Sequence, residues 1–146
     1  MVTTWNIKNT LYLLLLIFVI LPVQGQKHKK GKRLTDFTIT QSRSEKAKGT
    51  QIVLKQVISD ARCPEGVDCI WPGEAQVLVS IYQNKKWMDE EILSFSPKKV
   101  EDNKKWVSNT LAIPLKKIKS VRLLPYPKDS IKIEPKSYVI KVEIAK

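Results

Sequence analysis

Histidine is almost missing from this chain. Its one copy, His28, lies inside a run of lysines, so no Ser–His–Asp set can be assembled. The five glycines are scattered, and none builds a phosphate-cradling loop. Two cysteines and one histidine are too few for a zinc site of the usual four-ligand kind. Long apolar runs are absent too. The longest, 11–21, has eleven residues, whereas a membrane-spanning helix needs about 20. No stretch shows a convincing apolar repeat at 3.6 residues, and there is no internal repeat or second domain. These absences argue against an enzyme of a familiar type, a bound cofactor, a metal centre and an integral membrane protein.

Residues 1–25 have the pattern of a cleaved secretory signal peptide. Lys8 is the only charge before the apolar run, Pro22 ends the run, and Val23-Gln24-Gly25 places small residues where a signal peptidase would cut. The expected address is therefore secreted or periplasmic. The chain is strongly basic, at +12. Residues 26–33 concentrate this charge in Lys27, Lys29, Lys30, Lys32 and Arg33, and are expected to form a disordered arm. The arm is a solubilising tail or a contact for an anionic surface. Nucleic acid is disfavoured, because the chain is expected to be exported and no aromatics are interleaved with these cations.

Residues 34–146 read as one β domain. Strands are expected at 34–41, 51–59, 74–83, 86–95, 106–113, 115–124 and 137–145, with a further short piece at 131–133. Asn84-Lys85 suits a two-residue turn, since Asn tolerates positive φ. About seven short antiparallel strands with turn residues between them predict an all-β domain, either an Ig-like β-sandwich or a small barrel.

The stretch 60–74 stands apart. It holds both cysteines, Cys63 and Cys69, with Pro64, Gly66, Pro72 and Gly73 around them. In an exported chain this spacing predicts one disulfide, stabilising by roughly 2.4 kcal/mol in the chain-entropy account. The rival readings are a redox dithiol, which prefers C-x-x-C, and a metal site. Asp60, Glu65, Asp68 and Glu74 supply carboxylates. They lack the spacing of a calcium loop, and Arg62 is at hand as a counter-ion. Trp71 is either a core plug lying on the disulfide or an exposed anchor. The neighbours Ile70 and Pro72 suggest a packed corner and favour the plug.

Asp60, Arg62, Cys63, Pro64, Val67, Cys69, Trp71, Gly73 and Ala75 together resemble the D-S-R-C-P-x-x-V-x-C-x-W-x-G-x-A motif of a family of small uncharacterised bacterial secreted proteins and lipoproteins. Here Ala61 replaces the usual Ser, and Pro72 the usual Ala. Residues 123–127 and 138–142 resemble that family's carboxy-terminal part. The resemblance implies a secreted β domain and names no activity.

The function expected from the sequence is a non-enzymatic binding module. Its contact surface would be the loop carrying Asp60, Arg62, Glu65, Asp68, Trp71 and Glu74, and its partner an unidentified protein or envelope component. One alternative is an envelope-associated protein held to anionic surfaces by its basic arm. Another is a small hydrolase or protease inhibitor.

Overall fold

The computed structural model describes residues 35–42 and 48–145. The expected signal peptide at 1–25 and basic arm at 26–33 lie outside the described residues.

The chain is mostly β, as its alternation predicts. The strands are β1 (Phe37–Ile39), β2 (Thr50–Asp60), β3 (Ala75–Gln83), β4 (Lys86–Phe95), β5 (Ile118–Leu124) and β6 (Val139–Ile144). They form two three-stranded sheets, ordered β1-β6-β5 and β2-β3-β4. Every strand pairing in them is antiparallel. Leu54, Val77 and Val79 from one sheet and Leu123, Ile140 and Val142 from the other belong to a single buried cluster. A hydrogen bond from the Leu54 N–H to the Thr40 carbonyl (3.0 Å) joins the chain after β1 to β2.

The β3–β4 hairpin matches its sequence closely. Asn84 and Lys85 take φ of 48° and 73°, the double positive φ that a two-residue hairpin turn requires. The Asn84 side-chain oxygen accepts from the Gly49 N–H at 3.0 Å and fixes the turn against the start of β2.

β2 departs from simple alternation. By sequence Ile58 shares a face with Ile52 and Leu54. Irregularities between Leu54 and Gln56, and between Val57 and Ser59, shift the phase. Each extra residue reverses which side chains face inward. Val57 therefore packs on the core, while Ile58 is exposed.

The expected strand at 106–113 is a correction. Val100–Leu111 is an α-helix, α1, preceded by a 3-10 turn at Pro97–Lys99. Among the described residues, six strands and one α-helix thus stand where about seven strands were expected. Pro97 suits the first turn, and Glu101 and Asp102 lie at the helix start, where the dipole favours acids. The buried positions are Asn103 and Val107, four apart on one helical face. An asparagine in the first of them hides the apolar repeat. Its side chain donates to the Ser94 carbonyl at 2.9 Å, so it is buried with a partner. Trp106 donates its indole N–H to Glu91. Ala112 closes the helix at φ 52°. The expected piece at 131–133 is not a strand; Ile131 makes only an isolated bridge with Lys128. The strand expected from 115 begins at Ile118, after a 3-10 turn at Leu115–Lys117.

Candidate functional site

Beyond β2 and β3 the hairpin continues for two more rungs. The Ala61 N–H reaches the Glu74 carbonyl, and the Cys63 N–H the Pro72 carbonyl, both at 2.9 Å. The second rung is possible because residue 73 is glycine. Its φ is +69°, and a Cβ there would fall 1.9 Å from the Ala61 carbonyl oxygen. Past this ladder, Cys63 and Cys69 form the expected disulfide, with Cα atoms 6.0 Å apart.

Arg62 is buried beneath the loop, 8 % exposed. A guanidinium so placed must be fully hydrogen-bonded. Nε and Nη2 bind Asp60 in a fork, at 2.8 and 2.6 Å. Nη1 donates to the Leu123 carbonyl at 2.7 Å, and Nη2 also to the Pro125 carbonyl at 2.9 Å. The Tyr126 ring lies 4.9 Å from the guanidinium carbon. The Tyr138 hydroxyl completes the set, donating to Asp60 at 3.0 Å. This clasp ties the end of β2 to the end of β5 and to the residue before β6, and so joins the two sheets.

The charges respond to this arrangement. Burial pushes the Asp60 carboxyl up, but the hydrogen bonds and charge of Arg62, with the Tyr138 hydroxyl, outweigh it and hold Asp60 below its usual value. Burial, and then the adjacent Asp60 carboxylate, push the Tyr138 hydroxyl up to about 12.

Six residues of the loop were expected to form the contact surface, and the structure sorts them. Asp60 and Arg62 belong to the clasp and face inward. Arg62 is therefore not a free counter-ion for the other acids. Glu74 is half-buried and accepts from Gln76 at 3.1 Å. Glu65 and Asp68 are exposed. Among the described residues, no three carboxylate, thiol or imidazole side chains gather where a metal could bind.

Trp71 overturns the plug reading. It is 64 % exposed, and Ile70 beside it is 107 % exposed. Neither residue belongs to the buried core cluster. Val67 is exposed as well. The loop thus carries apolar side chains outward on a backbone held by the ladder, the disulfide and a hydrogen bond from the Glu65 N–H to the Pro127 carbonyl (2.9 Å).

Sequence reasoning missed Tyr126 and Tyr138. Asp-x-Arg at a strand end was a usable signal, since residues two apart in a strand share a face and can meet. Nothing local announced the tyrosines, which lie more than sixty residues away in the chain. No protein-family model, curated protein or solved structure matches this chain.

Proposed function

We propose that the protein is an exported, non-enzymatic binding module that meets a protein partner through the tip of the 60–74 loop. The observation that carries this reading is the outward placement of Ile70 and Trp71 on a braced backbone. Isolated exposed apolar residues are ordinary on protein surfaces. An adjacent Ile–Trp pair with so much of its surface in water is costlier, and Trp is enriched among the residues that dominate binding energy. The ladder, the disulfide and Pro72 have already removed most of the freedom that the loop would lose on binding.

Export is supported by the disulfide, a bond that persists in oxidising compartments. It is also supported by the signal-like pattern at 1–25 and by the resemblance to secreted proteins. No helix among the described residues is long and apolar enough to cross a membrane.

Capture of partners from envelope extracts by the wild type and by Trp71→Ala tests the reading. The loop reading predicts that the variant keeps its fold and loses capture by about thirtyfold, as at a ~2 kcal/mol hot spot. Equal capture by both proteins would remove the loop as the contact surface. If a variant lacking residues 27–33 loses capture instead, the basic arm is the binding element.

A further inference from the structure

We propose that the partner which this tip is built to meet includes a second copy of the chain: Trp71 of one copy seats in a hollow beside the loop on the other, closing a two-fold dimer. The proposal rests on the reading of the loop tip as a contact surface.

The hollow lies on the segment between β5 and β6. Tyr126, Ile131 and Ile133 line it with Lys128, Lys132 and Glu134, around a volume of about 280 Å³. That is room enough for a large side chain. Its shape is set in advance. At one rim, Arg62 holds the Pro125 carbonyl and lies against the Tyr126 ring. At the other, the Ser137 N–H and hydroxyl both reach the Glu134 carbonyl, at 2.9 and 2.7 Å. Ile131, 62 % exposed, and Tyr126, 40 % exposed, leave apolar surface uncovered there.

Knob and hollow are both apolar, and the charges around them are opposite. The loop around Trp71 carries the exposed acids Glu65 and Asp68. The hollow carries two lysines against one glutamate. Loop and hollow are also neighbours, because the Glu65 N–H binds the Pro127 carbonyl and the backbones of Glu65 and Lys128 form an isolated parallel β-bridge. A two-fold axis next to this junction satisfies both knobs and both hollows at once. Such a contact closes on itself instead of propagating. An indole seated in an apolar hollow with an ammonium nearby also gains a cation–π contact.

Sedimentation velocity of the purified protein, from micromolar to millimolar concentration, is the test. The expected result is a reversible dimer that Trp71→Ala or Ile131→Glu weakens about thirtyfold or more, the effect of losing a hot spot. Both residues are exposed, so both variants are expected to fold. Asp68→Lys and Lys132→Glu should each weaken the dimer, and the double variant should recover it. A monomer at every concentration, or a dimer indifferent to both Trp71→Ala and Ile131→Glu, overturns the proposal. If the protein is monomeric yet Trp71→Ala still loses capture from envelope extracts, the dimer is wrong and the loop reading stands. If Trp71→Ala affects neither, both fall.

Discussion

Two sites less than ten residues apart in the chain are built on opposite terms. Arg62 is enclosed, and its guanidinium has acceptors on Asp60, Leu123 and Pro125. Ile70 and Trp71 are left in water. The clasp converts buried charge into a junction between two sheets, so its residues are free for little else. The tip contributes nothing to the core cluster. Its side chains can therefore be chosen for what they meet outside. The disulfide stands between these regions and shapes the tip without entering the core.

The first way to break this contrast is to attack the clasp. Arg62→Ala leaves the Asp60 carboxylate buried without its partner, and removing one member of a buried pair costs about 3–5 kcal/mol. The midpoint of urea unfolding should fall accordingly, with capture lost only in step with the folded fraction. A loss under 1 kcal/mol would mean that water relieves the buried charge.

Next in size is the disulfide. Replacing Cys63 and Cys69 with Ser removes a short closed loop, at a cost of roughly 2.4 kcal/mol. The far-ultraviolet circular dichroism should stay that of the wild type, because no core residue comes from the ring. A collapse of secondary structure would show that the loop is part of the scaffold.

Titration sharpens the contrast more gently. The folded-state pKa of Asp60 lies below its ordinary 3.8, so its contribution to stability is complete above that value and fades as the pH falls through the lower, folded one. The sign reverses for Tyr138. Its folded-state pKa rises from 10.0 to about 12, so its share of stability is complete below pH 10 and is lost as the pH climbs toward 12. Ultraviolet titration of the folded protein should show a late phenolate step that Tyr138→Phe removes. The same late step in the variant would place the shifted tyrosine elsewhere.

The sequence was most legible where local chemistry decides structure. The β3–β4 hairpin follows from its alternation and from Asn84. The disulfide follows from two cysteines in a chain that looks exported. Legibility failed where one residue changes the meaning of its neighbours. Asn103 at a buried helical position left Trp106–Ile113 looking like a strand. The irregularities in β2 sent Ile58 outward against its apparent phase. At the candidate site the relevant stretch was visible but its two halves were exchanged. Asp60 and Arg62 look like surface charges until Tyr138 and the Leu123 carbonyl, brought close only by the fold, supply their partners. Trp71 looks like core until its side chain is seen to stand in water.

The tip of this loop is spared from holding the fold. Chemical denaturation of Trp71→Ala beside the wild type addresses this most directly. The unfolding free energies should agree within about 0.5 kcal/mol, the usual range for a surface change away from structural features. A loss of 3–5 kcal/mol, as for a buried large aromatic, would return Trp71 to the core and contradict the account.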